Sequence, residues 1–203
     1  MNKLEETKIK GSNILLGALF LGIGFTLLSV FSWAWWALFA GGLAAWAVVF
    51  RKNSVSAFTF PKHLWMILLG FLGYMALSMS VGYLAMSLGF HWNVNPAAGH
   101  LESIILKIPF MLMGEEFLGI GILETARNKG ISLTVSTLLS ALIFGLMHFF
   151  VYWDGSLAST LLHVLLLQGA ARLIFNYVYL KTNRSILGSW LSHILVDFVS
   201  LSL

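Results

Sequence analysis

Long apolar runs alternate with short polar breaks along almost the whole chain. The runs fall at about 12–31, 33–50, 64–89, 100–127, 131–150, 157–180 and 185–203. Most come close to the roughly 20 apolar residues that cross a bilayer as a helix. A chain in lipid has to satisfy its backbone internally, so the runs predict α-helices. The breaks are turn-forming: Phe60-Pro61, Asn93-Val94-Asn95-Pro96, Asn128-Lys129-Gly130 and Thr182-Asn183-Arg184. Only the Ser32–Trp33 region parts the first two runs, which predicts a tight helical hairpin or one broken segment. Pro109 predicts a break in the fourth run, between a surface helix and the true span. The expected fold is all-α: a polytopic membrane protein of about six to seven transmembrane helices. N-terminal helices and loops occupy 1–99, and a second part, 100–203, completes one membrane domain.

Composition sharpens this picture. Of the 203 residues, 59% are hydrophobic and 10% are charged, against about 25% charged in a soluble domain. No cysteine is present, which excludes disulfides and thiolate–metal sites. A net charge of +4 would allow a nucleic-acid partner, but the positions of the charges point elsewhere. Lys3, Lys8 and Lys10 precede the first run. Arg51, Lys52 and Lys62 follow the second, Arg127 and Lys129 the fourth, and Lys181 and Arg184 the sixth. With seven spans these clusters share one side, where the opposite loops carry only His91 and Asp154 among titratable groups. That asymmetry predicts a cytoplasmic N-terminus in a multi-pass cell-membrane protein. The partners expected are the bilayer and its anionic headgroups, with no nucleic acid. The lysine-flanked first run reads as a transmembrane helix rather than a cleaved signal, because further spans follow.

Inside the apolar runs a short polar set remains. Lys107, Glu115, Glu116 and Glu124 lie on the fourth run, His148 ends the fifth, His163, Gln168 and Arg172 lie on the sixth, and His193 and Asp197 on the seventh. Ionisable groups in a span usually face the bundle interior or a wet cavity. At 1.5 Å rise per residue Glu115 stands about 18 Å from the cytoplasmic end of its helix, with His148 at about 24 Å, His193 at about 12 Å and Asp197 at about 18 Å. Helix tilt absorbs that spread. His193 and Asp197, spaced i, i+4, share a face. Glu115 and Glu116, about 100° apart, cannot point the same way, so one is expected at the histidines and the other at a structural partner. A carboxylate beside histidine can act as general base toward water, and a second histidine with a polar group one turn on can stabilise an oxyanion. The set suits hydrolysis of a peptide bond without a covalent intermediate. Zinc held by His148, His193 and Asp197 or a Glu is the metal alternative, weakened by the lack of H-E-x-x-H. Other polar groups have blander expectations. His163 and Gln168 suit helix packing, Glu124 with Arg127 an i, i+3 pair, and Trp33, Trp35, Trp36, Trp65 and Trp92 interfacial anchors. Gly17, Gly22, Gly24, Gly70 and Gly73 suit close helix contact.

Three segments, in order, carry a family resemblance: EEFLGIGILETARNKG, SALIFGLMHF and YLKTNRSILGSWLSHILVDF. They look like the motifs E-E-x-x-x-R, F-x-x-x-H and H-x-x-x-N of the CPBP family, also called Abi. That family comprises type II CAAX prenyl endopeptidases and bacteriocin-processing proteins. Glu115 and Glu116 match the first motif, Phe144 and His148 the second, and His193 the third, with Asp197 where Asn is common. The resemblance covers about 100–203, which it implies is the catalytic core. It further implies an intramembrane endopeptidase that needs no metal and no cofactor. In that scheme Glu115 and His148 activate the water, His193 and Asp197 stabilise the oxyanion, and Glu116 is a supporting carboxylate. The first-motif Arg falls at Ile120 here. Arg172 or Lys107 are the spatial substitutes to look for, with Arg127 too far along the helix. The expected substrate is a membrane-associated peptide, precursor or membrane protein, in a bacterial plasma membrane. The alternative is a catalytically impaired immunity or scaffold protein that binds a peptide or partner. A proton-coupled transporter ranks last, since no inverted repeat is visible.

Overall fold

Each apolar run folds as helix in a computed structural model that describes residues 3–4 and 6–202. Leu203, where the last predicted span ends, and positions 1, 2 and 5 of the predicted N-terminal part lie outside the described residues. Helix α1 spans Gly11–Val30 and α2 Ala37–Phe50, joined through a 3₁₀ turn at Ser32–Ala34. The weak first boundary is therefore a hairpin. Its two backbones touch: a Cβ on Gly24 would lie 2.6 Å from the Ala37 carbonyl oxygen. Gly22 and Gly73, by contrast, face open space.

After a 3₁₀ segment, Arg51–Ala57, comes α3, Trp65–Ser87. The fourth run divides as its proline predicts. A one-turn helix α4, Leu101–Ile104, precedes α5, Ile108–Asn128, with Pro109 in the first turn of α5. Proline costs nothing there, because first-turn N–H groups have no partner within the helix. Lys107 caps α5 from outside rather than lying within the helix, at the end away from Arg127 and Lys129. Helix α6, Leu133–Met147, starts at Ser132, whose hydroxyl accepts from Val135 N at 3.3 Å. Helix α7, Leu157–His163, runs through a π-helical turn, Val164–Gly169, into α8, Ala170–Lys181. Helix α9 is Ile186–Ser202. Among the described residues there is no strand.

Among the described residues three stretches are long and apolar enough to cross a bilayer: Gly11–Val30, Trp65–Ser87 and Leu157–Lys181. Helices α6 and α9 are shorter apolar ones. One core cluster joins α2, α5, α8 and α9 through Trp46, Phe117, Ile120, Leu123, Tyr179 and Ile186. A second joins α3, α8 and α9 through Tyr74, Phe175 and Val196. In lipid such packing gains van der Waals contact rather than escape from water, so fit between side chains matters more than apolarity. Together α5, α6, α8 and α9 form a bundle whose interior holds Glu116, Arg172 and His193.

Candidate active site

Helix α5 turns its two adjacent carboxylates to different fates. The Glu116 side chain is fully buried and that of Glu115 is 22% exposed. Glu116 is saturated. Arg172 reaches it from α8 with two parallel bonds, Nη1 to Oε1 at 2.8 Å and Nη2 to Oε2 at 3.0 Å. Ser189 of α9 donates its hydroxyl to Oε2, and His193 Nδ1 lies 2.9 Å from Oε1. Bidentate, charge-assisted pairing of this kind is among the strongest hydrogen-bond arrangements. The Arg172 guanidinium also lies over Phe144 at 5.6 Å and Phe175 at 5.5 Å, a cation–π setting.

Room for that arginine is made on α5 itself. A Cβ on Gly119 would stand 2.6 Å from Arg172 Cδ and 2.7 Å from Nη1. Arg172 thus occupies the volume that any side chain at 119 would take. The guanidinium missing at Ile120 is supplied from α8, while Ile120 is fully buried in the apolar cluster. Ser140 ties α6 to this point, donating to the Gly119 carbonyl at 2.7 Å and accepting from Asn176 Nδ2 at 3.1 Å.

Glu115 faces a cavity of about 900 Å³ that His148, His193 and Asp197 also line. The His193 ring is stacked on Phe175 at 4.3 Å and held at Nδ1 by Glu116, which aims Nε2 at the open side. There Nε2 is 3.8 Å from both Glu115 Oε2 and Asp197 Oδ1. His148 ends α6 and bonds the Phe144 carbonyl oxygen through Nδ1 at 2.8 Å. A carbonyl only accepts, so Nδ1 carries a proton, and in the neutral ring Nε2 keeps a lone pair. A second, more apolar cavity of about 460 Å³ reaches α1 and is also lined by Glu115, His148 and Asp197. The three therefore stand between two spaces. Among the described residues no three His, Asp or Glu side chains form a ready metal-binding group, and Glu116 occupies one His193 nitrogen.

All five candidate residues, Glu115, Glu116, His148, His193 and Asp197, thus meet within one bundle, with Glu115, His148, His193 and Asp197 on the cavity. Ser189 escaped the sequence reading, although it stands one turn before His193, as Asp197 stands one turn after. That i, i+4, i+8 stripe was a usable signal. His163 and Gln168, expected only to pack, both line the larger cavity. Trp92, expected as an interfacial anchor, instead stacks on the His163 ring, with centroids 4.7 Å apart and planes 2° apart. Glu124 accepts from Tyr179 Oη at 2.9 Å and pairs with Arg184 Nη1 at 3.4 Å, and Arg127 Nη1 donates to the Ile131 carbonyl. Above the cavity, Asp154 accepts from Ser159 Oγ, Thr160 Oγ1 and Ser156 N. The Ser159 hydroxyl foremost holds the Asp154 carboxyl below its usual range.

No curated protein and no solved structure matches the chain. Residues 99–199 do match a family model, Type II CAAX prenyl endopeptidase Rce1-like. The matched stretch holds both glutamates, both cavity histidines of the motifs, Asp197 and the arginine that serves Glu116. Through residues 99–199 the chain belongs to the type II CAAX prenyl endopeptidase Rce1-like family.

Proposed function

We propose that this protein is an intramembrane endopeptidase that hydrolyses a peptide bond with a water activated by Glu115. The observation that carries the reading is the division of labour between neighbouring glutamates. Glu116 is spent on Arg172, Ser189 and His193, while Glu115 stands uncommitted on a cavity beside two histidines. Glu115 takes a proton from water, and the His148 Nε2 lone pair orients that water. The resulting hydroxide attacks the scissile carbonyl carbon. His193, held at Nδ1 by Glu116 and stacked on Phe175, stabilises the tetrahedral oxyanion through an Nε2–H in its doubly protonated form, and Asp197 either donates to the oxyanion as the protonated acid or orients His193. The proton on Glu115 then passes to the leaving amine, which restores the site. Oriented groups in a water-poor site are worth several kcal/mol of barrier, roughly 2.7–4 for one oxyanion donor. The scheme uses no metal, and stoichiometric zinc whose removal abolishes hydrolysis would overturn that part.

The proposed setting is a bacterial plasma membrane, with about six to seven crossings, residues 100–203 as the catalytic part and a cytoplasmic N-terminus. The proposed substrate is a membrane-associated peptide or precursor. The contrary reading, an impaired immunity or scaffold protein, drew its force from Ile120. Arg172 meets the need that an arginine at 120 would meet, which supports an intact site. The test compares peptides in membranes and medium of host cells carrying wild type or Glu115→Gln at equal expression. A product found only with wild type is the expected result. Identical profiles, with both proteins rescuing a deletion phenotype, refute the enzyme reading.

A further inference from the structure

The wall of the large cavity carries two polar side chains that the proposed chemistry does not use, His163 and Gln168. His163 is 3% exposed and sits between two aromatic rings: Trp92 stacks on one face, and Tyr152 meets it edge-on at 4.6 Å. Its Nδ1 is buried with no hydrogen-bond partner among the described residues. Nε2 has no protein partner among them either and is not sealed off, so it opens to the cavity that His163 lines. An orphaned N–H is rarer in proteins than an under-used acceptor. The neutral tautomer with the proton on Nε2 therefore fits, leaving only a lone pair unmet at Nδ1 and presenting an N–H donor to the cavity. Gln168 lines the same cavity and spends its carboxamide on no protein group among the described residues.

The backbone turns these two side chains toward one face. Five residues separate His163 from Gln168, which in an α-helix would set them about 140° apart. The intervening turn, Val164–Gly169, is π-helical, and its i→i+5 bonding brings residues five apart toward one face. The clamp is also built. Trp92 Nε1 donates to Ser159 Oγ at 3.2 Å and Ser159 donates on to Asp154, which holds the indole flat on the imidazole. A rigid donor beside a free carboxamide suits a ligand that alternates carbonyl and N–H groups, namely a peptide main chain.

We infer that His163 and Gln168 are substrate-positioning residues that hydrogen-bond the main chain of a peptide segment laid along the wall of the large cavity, one ring beyond His148. The inference rests on the endopeptidase reading but is tested by binding as well as turnover. The full-length Glu115→Gln protein in nanodiscs is offered a library of dye-tagged octapeptides, half of them farnesylated, and retained peptides are counted. His163→Phe keeps the aromatic sandwich and removes the donor, while Gln168→Leu, on a more open position, guards against a folding failure in the first. Each is expected to retain at least tenfold less peptide in the Glu115→Gln background. In the active protein each is expected to raise KM about tenfold with kcat within about twofold. Retention equal to the parent, a fall in kcat at constant KM, or no peptide retained by any of the proteins overturns the inference. Retention that depends on His163 without cleavage by wild type leaves the wall as a peptide site and refutes the endopeptidase reading alone.

Discussion

Gly119→Ala places one methyl where Arg172 now runs. The added Cβ would meet Arg172 Cδ at 2.6 Å and Nη1 at 2.7 Å, about an ångström inside the usual 3.5–4.0 Å carbon contact. Arg172 cannot give way cheaply, because its guanidinium is pinned to Glu116 and Ser189 and all three groups are fully buried. Overpacking alone costs about 1–3 kcal/mol. If the arginine is pushed off, the broken buried pair costs about 3–5 kcal/mol. Against this, alanine gains up to about 1 kcal/mol over glycine in a helix. Gly121→Ala, two residues on, collects the same gain but meets only Trp46 Cε3 at 4.0 Å. The helix term thus cancels between the two variants, and Gly119→Ala is expected to be about 2–4 kcal/mol less stable than Gly121→Ala. Unfolding in one detergent, by heat or by denaturing surfactant, measures the difference. Hydrolysis should fall only in Gly119→Ala. Two variants within about 0.5 kcal/mol of each other would refute the claim that Arg172 needs that space.

The two glutamates should separate in the same assay: Glu116→Gln leaves the Arg172 charge buried without its carboxylate and costs about 3–5 kcal/mol, whereas Glu115→Gln unfolds within about 1 kcal/mol of wild type, and equal losses would contradict the assignment. Ile120→Arg is expected to lower stability by about 3–5 kcal/mol without raising hydrolysis, since it buries a charge in an apolar cluster and Glu116 is already paired. A more active Ile120→Arg protein would show that Arg172 does not serve Glu116. Asp154 gives a pH test. Its folded pKa lies below the usual value of about 3.8, so its contribution is complete above that value and is lost as pH falls through the folded one. Thermal midpoints of wild type and Asp154→Asn should therefore converge in that acid range, and parallel profiles down to pH 3 would remove Asp154 from the clamp.

Much of this fold is legible in hydrophobicity alone. The predicted run 157–180 is the helical stretch Leu157–Lys181, and 64–89 is Trp65–Ser87. Run length, lipid solvation and turn residues decide those bounds, and all three are local. Pro109 also reads correctly, since its ring fixes where a helix can begin. The π turn does not read from the sequence, because a single extra residue per turn leaves an apolar run unchanged. Nor does the partner of Glu116. Arg172, Lys107 and Arg127 look alike in sequence, and only the crossing of α5 and α8 at Gly119 selects among them. The motif histidines were visible by spacing. The service of Glu116 to His193, rather than to the cavity, is a tertiary fact.

Glu115, His148 and Asp197 form a partition, with a roomy, partly polar basin on one side and a greasy slot running to α1 on the other. Hydrolysis inside a bilayer has to unite two reactants that avoid each other's solvent. In the proposed reaction such a partition lets water and the polar main chain share the basin while an oily tail of the substrate lies in the slot, so that they first meet at the carboxylate. The tail need not be dragged through water, and the bond to be cut is wetted only where the proposed base stands.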